Sequence, residues 1–350
     1  MASENISQPP RGVHLVGSIP LSSAEEVFRT ASQILGGRLR RIPDGETGAR
    51  TNWIGWQAKF LANTPALEAL PPDPTAYAPL PFFKLRASSA SEEQPGRLRF
   101  DRLGYADAAK ASYPIFARMK QSGAIPASTR FQVCLPTPIA TVTAFVVPED
   151  QATVEPAYEQ AMLAELDQIT AALPHHDLAI QWDVAVEFAI LEGVWTTFLK
   201  NPKPELIERL IRLGQRVPAD VELGYHLCYG DAGHQHFKQP KDTALLVEVA
   251  NAVSAGLTRP INWIHLPVPI DRSDDAYFAP LRDLNLHPET ELYLGLAHIA
   301  DGAEGTRKRI AAAQRAVASF GVATECGLGR RPPETIPDLL RIHSAVAEPV

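Results

Sequence analysis

The chain predicts an α/β fold, a single (β/α)8 or TIM barrel, on three observations. Apolar runs of strand length alternate with amphipathic helical runs along all 350 residues. The strand runs are nearly continuous in apolar residues, as strands buried on both faces are. Eight such units can be counted, the number that closes a parallel barrel. An open doubly wound sheet would share the alternation, but no Gly-x-Gly-x-x-Gly turn follows the first strand to seat a dinucleotide. Length alone would allow two domains, yet barrels of this size are commonly one, so 1–350 reads as a single domain.

Taken in order, the first strand is 13–18, ending in Gly17 and Ser18. The run Ser22-Ser23-Ala24-Glu25-Glu26 then reads as a capped helix start, with the Ser22 hydroxyl and Glu25 forming a capping box. The remaining strands are expected at 38–43, 130–135, 179–186, 221–227, 261–266, 291–297 and 322–326. Helical patterns lie between most of them, at 205–213, 243–255 and 306–319, with apolar residues at three and four spacing. Residues 64–103 break the rhythm. They carry Pro65, Pro71, Pro72, Pro74, Pro79, Pro81 and Pro95, and the apolar segments 81–85 and 97–100 are expected to pair as a hairpin. This reads as an insertion after the second strand. Loops that follow barrel strands lie on the catalytic face, where it would cover the substrate pocket; a decorative surface loop is the competing reading. No repeat of about 20–50 residues is visible.

Charge narrows the partners. Lys and Arg number 33 against 40 Asp and Glu, a formal charge of -7. No segment carries a basic run, which argues against nucleic acid or an anionic membrane as partner. The polar start, 1–11, lacks the apolar stretch of a signal peptide, and no window approaches the ~20 apolar residues of a membrane-spanning helix. A cytoplasmic location is expected. The three cysteines, Cys134, Cys228 and Cys326, are too scattered for a disulfide framework, and a reducing compartment would keep them as thiols.

Two of them stand where chemistry is expected. His226 and Cys228 are two apart, so on a strand both side chains face the same way. Cys326, at the end of the last strand, could complete a Cys-His-Cys set, which suits tetrahedral zinc with one position open for substrate. A lone buried cysteine is better read as a small apolar core residue, and Cys134, inside an apolar run, is read so. Nearly every other strand also ends in reactive groups: Ser18, then Asp44 and Glu46, Asp183 and Glu187, His265, His298 and Glu325. Packing alone does not require that convergence on one rim.

These motifs, in order, resemble the catalytic barrel of the cobalamin-independent methionine synthase family. His14-Leu15-Val16-Gly17-Ser18-Ile19-Pro20 is similar to its Gly-Ser-Phe-Pro opening, Asp44-Gly45-Glu46 to its Gly-Glu motif and Leu135-Pro136-Thr137-Pro138 to its Leu-Thr-Gly-Pro turn. Gln181-Trp182-Asp183 resembles its Gln-Ile-Asp segment. His226-Leu227-Cys228-Tyr229 and Glu325-Cys326-Gly327-Leu328 resemble its two metal motifs. The resemblance implies zinc held by His226, Cys228 and Cys326, which binds a substrate thiol as the reactive thiolate. It implies an amino-acid thiol read by Ser18, Glu46 and Asp183, with Asp183 also counted among the catalytic residues, and His298 as proton donor. Carboxylates suit an ammonium group, and a hydroxyl with nearby N–H groups suits a carboxylate.

Two departures stand out. The family's glutamate ligand ends its sixth strand, where this chain has Asn262-Trp263-Ile264-His265-Leu266-Pro267; His265 is the natural replacement as fourth ligand or nearest partner of the site, and Asp271 the other candidate. The aromatic residue that stacks on folate in the family should follow the Leu-Thr-Gly-Pro turn, but 139–145 holds no Trp, which leaves a different alkyl donor or electrophile open. The expected function is therefore zinc-dependent activation of a small thiol, in its simplest form methyl or alkyl transfer to homocysteine or a similar thiol. Zinc-thiolate opening of an epoxide or cleavage of a C–S bond is the alternative. A non-catalytic barrel with structural zinc comes next, and a metal-free decarboxylase on a related barrel is remoter. Pro174-His175-His176-Asp177 is expected to be a solvated loop on the opposite rim, and Gly233-His234-Gln235-His236 a mobile loop near the pocket entrance. Arg330-Arg331 would meet an anionic substrate tail or cap the barrel.

Overall fold

The computed structural model describes residues 8–71, 81–86, 98–233 and 235–350. Its strands are β1 (Arg41–Pro43), β2 (Leu67–Leu70), β3 (Phe82–Leu85), β4 (Arg130–Pro136), β5 (Leu178–Val184), β6 (Glu222–Leu227), β7 (Trp263–Pro267), β8 (Glu291–Gly295) and β9 (Gly321–Val322). The α-helices are α1 (Ala24–Leu35), α2 (Ala58–Ala62), α3 (Tyr105–Gln121), α4 (Pro138–Phe145), α5 (Pro148–Ala172), α6 (Val186–Leu191), α7 (Pro202–Gln215), α8 (Ala244–Gly256), α9 (Asp275–Phe278), α10 (Gly302–Ala313) and α11 (Ile336–Val346).

Seven strands form one parallel sheet in the order β1-β4-β5-β6-β7-β8-β9. The order follows the chain, so each strand lies beside the next in sequence, as in a barrel. The sheet curls until its edges meet the first segment of the chain: Val13 bridges Val322 on one side and Leu39 on the other, both in parallel. His14 N donates to the Val322 carbonyl at 3.0 Å and Val13 N to that of Arg38 at 2.8 Å.

The expected first strand is thus single bridges rather than a ladder, and the reason lies inside the sheet. The Gln132 amide donates to the carbonyls of Leu15 and Val16 at 3.0 and 3.2 Å, and the Gln181 amide to Val16 at 2.6 Å. Two side chains from β4 and β5 take acceptors that a neighbouring strand would otherwise use. His14 Nε2 closes the same buried network on Gln181 Oε1 at 2.8 Å.

Strand order in the sheet is locked from below by Arg41. Its buried guanidinium reaches Glu222 at 2.5 Å and Glu291 at 2.8 Å, tying β1 to β6 and β8, and lies 4.1 Å from the centre of the Trp263 ring. Stacking on an indole and a forked hydrogen-bond geometry are the two things guanidinium does that ammonium does not. Gly224 is required by this arrangement, because a Cβ there would run into the Trp263 indole. Around the sheet, α1 buries Val27, Phe28, Ala31 and Leu35, and α7 buries Leu206, Leu210 and Leu213, each at helical spacing.

Several expectations change in detail. The capping residue of α1 is Ser23, which accepts from Glu26 N, while Glu26 takes the Ser22 hydroxyl; the box sits one residue later than expected. The chain turns helical at Val186, because the strand run ends where the sheet does, and the last strand stops at Val322. The hairpin pairs Leu67–Leu70 with Phe82–Leu85, not 81–85 with 97–100. Residues 98–100 form no strand, and Arg97 lies outside the described residues. Phe83 bridges Val146 and Leu85 N donates to Asp150 Oδ2 at 2.7 Å, so the hairpin rests on the junction of α4 and α5. No helix among the described residues is long and apolar enough to cross a membrane.

Candidate metal centre and adjoining cavity

Because every strand of the sheet is parallel, all carboxyl-terminal ends share one rim, and there the chain surrounds a cavity of about 370 Å³. Ser18, Glu46, Asp183, His226, Cys228 and Cys326 all line it. Asn52, Trp53, Ile54, Gly55, Ala144, Trp195, Asp231 and Arg330 supply much of the remaining wall. Glu46 and Trp53 are the two non-glycine residues with positive φ among the described residues, at 48° and 38°. Each such backbone is strained by on the order of 1–3 kcal/mol, and both strained positions fall on this cavity.

His226, Cys228 and Cys326 come together as the sequence implied. One donor atom from each lies within 4.8 Å of the others, and the two Sγ atoms are 3.7 Å apart. They form the group among the described residues that could hold a metal ion. His226 Nε2 is buried and has no hydrogen-bond partner, a costly state for a ring nitrogen unless something coordinates it.

The wiring behind His226 fixes which nitrogen is bare. The Thr324 carbonyl only accepts, so His265 Nε2, 2.9 Å away, must carry a proton. Burial pushes the His265 imidazolium down to about 3, so the ring is neutral and its Nδ1 is an acceptor. His226 Nδ1, at 2.7 Å, must then donate to it. Burial, with His265 and His14 beside it, also holds His226 neutral, which leaves Nε2 as a lone pair. His265 therefore has both nitrogens engaged and stands behind His226. Asp271 lies in a different surface hollow, beside Asp301 and Lys308.

The Cys228 thiol faces the Cys326 sulfur as a donor at 3.7 Å. Hydrogen bonding to Cys326, then burial, pushes Cys228 well up, while the same bond and the Arg330 charge hold Cys326 low. Cys134 instead packs beneath the cavity, 3.2 Å from the Val16 carbonyl, with burial raising its thiol far from the reactive range.

The expected substrate residues line the same space. Ser18 Oγ accepts from Gly329 N at 3.3 Å, and a Cβ on Gly327 would meet it at 2.5 Å, so the glycine keeps the hydroxyl approachable. Glu46 sits on a tight turn whose Asp44 carboxylate accepts from Glu46 N at 2.9 Å and from Arg50 at 2.6 Å. Burial and the neighbouring Asp183 push the Glu46 carboxyl well up. Burial raises Asp183 to about 8, against the Gln181 amide that donates to it at 2.9 Å. Two buried carboxyls with raised pKa form a pocket that gains most from an incoming cation.

His298 does not line the cavity. Its Nε2 meets the Val268 carbonyl at 2.9 Å and its Nδ1 lies 3.9 Å from Glu325, whose other oxygen is 3.3 Å from His236. The Gly233–His236 stretch includes His234, which is outside the described residues. His175 and His176 lie before β5, at the opposite end of the sheet from the cavity, with His175 Nδ1 2.9 Å from Asp220. Sequence reasoning missed Trp53, Trp195 and Asp231. Nothing in their local sequence marks them, since each arrives on a loop whose path depends on the whole rim.

No protein-family model and no curated protein matches the chain. Solved structures do. A B12-independent methionine synthase from Shewanella sp. W3-18-1, in complex with selenomethionine, matches over 97% of this chain and 96% of its own, with a TM-score of 0.63 and 14% identity. A putative vitamin-B12 independent methionine synthase from Listeria monocytogenes matches over 97% and 99%, at 0.55 and 15%. A methyltransferase from Methanosarcina mazei matches over 98% and 95%, at 0.54 and 10%. The chain thus shares its fold, nearly end to end, with cobalamin-independent methionine synthase-like proteins. At such identities the likeness is one of fold, and the chemistry rests on the residues above.

Proposed function

We propose that this protein is a zinc-dependent enzyme that activates a small thiol for methyl or alkyl transfer. The observation that carries the reading is the unpartnered His226 Nε2 grouped with the sulfurs of Cys228 and Cys326 at the wall of a cavity. One imidazole and two thiolates are a donor set that suits zinc, and three protein ligands beside a cavity leave a fourth position for substrate, whereas a structural site is closed by four. Zinc so held would keep a substrate sulfur as thiolate at neutral pH. The shared fold supports transfer of a methyl group as the simplest form of the reaction.

The chain's own groups supply the rest. His265, through His226 Nδ1, holds the ligand ring in the tautomer that presents Nε2. Glu46 and Asp183 would receive the ammonium of an amino-acid thiol such as homocysteine, and the Ser18 hydroxyl, which Gly329 N holds at the cavity wall, its carboxylate. His298 remains the proposed proton donor; its Nδ1 lies 3.9 Å from Glu325, the residue before Cys326. We further read the Val13 segment as the eighth stave of a closed (β/α)8 barrel, with 64–103 as an insertion after the second stave.

Metal content tests the proposal. The wild type should carry about one zinc per chain, and Cys228→Ser and Cys326→Ser should each lose it. Full zinc occupancy in both variants would refute the ligand assignment.

A further inference from the structure

A thiol-alkylating site built from cysteines has a problem of selectivity, because its own two thiolates are nucleophiles as well. Both are contacted here by N–H donors. Gly230 N donates to Cys228 Sγ at 3.2 Å, and an Arg330 Nη donates to Cys326 Sγ at 3.8 Å. The same guanidinium nitrogen is held 2.6 Å from Asp231 Oδ2, and both residues line the cavity. Asp231 follows the Gly230 turn (φ 76°), so one short loop delivers the donor to Cys228 and the anchor for the donor to Cys326.

A hydrogen bond to a thiolate withdraws electron density from sulfur and lowers its nucleophilicity, as any interaction that favours the charged form does. We infer that the Asp231–Arg330 pair shields Cys326 from alkylation and so directs an electrophile to the substrate's sulfur. It is a positioning pair: Asp231 fixes the guanidinium, and the guanidinium quiets the ligand thiolate. Arg330 also places a positive charge beside Cys326, which would offset part of the negative charge that a third, substrate-derived thiolate brings to the site. This inference rests on the zinc reading above.

The test uses zinc-loaded protein without substrate thiol and iodoacetamide as electrophile. In each modification a sulfur–carbon bond forms, the carbon–iodine bond breaks, and iodide leaves with the electron pair. Mass spectrometry follows Cys326 and Cys228 separately, and zinc is measured in the same samples. Arg330→Gln should raise the alkylation rate of Cys326 about tenfold while that of Cys228, whose donor is backbone, stays as in the wild type. Arg330→Lys, which keeps the charge without the fork, should fall between. Asp231→Asn should also raise the Cys326 rate, by loosening the guanidinium. An unchanged ratio of Cys326 to Cys228 modification in zinc-retaining variants overturns the inference and leaves the zinc reading intact. Loss of zinc from both Arg330→Gln and Asp231→Asn overturns it in favour of a purely structural role. A wild type that binds no zinc overturns the reading beneath it, and the inference with it.

Discussion

Replacing His265 by Phe separates a metal ligand from a residue that only aims one. The Phe ring keeps the aromatic outline between His14 and His226, whose ring centroids lie 5.8 and 4.8 Å from that of His265. What disappears is the acceptor for His226 Nδ1–H and the donor to the Thr324 carbonyl. Two buried polar groups are left unsatisfied at about 1–3 kcal/mol each, so the metal-free variant should be less stable by on the order of 2–6 kcal/mol. Zinc affinity should fall about 10–100-fold, the usual cost of losing a partner behind a ligating histidine, equivalent to about 1.4–2.7 kcal/mol. Chelator competition reads the affinity, and urea unfolding of the chelated protein reads the stability. Zinc affinity within twofold of wild type would refute the wiring argument. A loss as large as that of Cys228→Ser would make His265 a direct ligand.

Two further outcomes follow from the carboxyls of the cavity. Asp183 is raised by burial to about 8, above the ordinary 3.8 of an aspartate, so between those pH values the folded chain holds a proton that the unfolded chain has released. Its contribution to stability is therefore present at low pH and lost as pH rises towards 8. Urea midpoints of the chelated protein should fall from pH 5 to pH 8, and Asp183→Asn should flatten that fall; an equal slope in both proteins would contradict it. Calorimetric titration with homocysteine should show binding to the zinc-loaded wild type and roughly 10–150-fold weaker binding to Glu46→Gln, since a hydrogen bond between charged groups contributes about 1.5–3 kcal/mol. Equal affinity, or no binding in either, would remove the amino-acid thiol and bring epoxide opening or C–S cleavage forward.

Those parts of the fold whose signal is local were legible in the chain. Continuous apolar runs marked β4 to β8 within a few residues, because a strand buried on both faces must be apolar throughout. His226 and Cys228 could be put on one face because a strand has period two. Motif order then brought in Ser18, Glu46, Asp183 and Cys326, and the structure gathers all of them around one cavity. Tertiary structure decided whatever depends on contacts between distant segments. The first strand lost its ladder to the amides of Gln132 and Gln181, which no local pattern announces. The partner of Phe82–Leu85 is Leu67–Leu70 rather than the expected 97–100, and Phe83 of that hairpin bridges Val146 between α4 and α5. The place of His265 behind His226 needed the Thr324 carbonyl, 59 residues away in sequence, to fix its proton. Arg330 reaches Asp231 across 99 residues, and Trp53 and Trp195 enter the wall on loops, because a curled parallel sheet points every loop after a strand at the same small space.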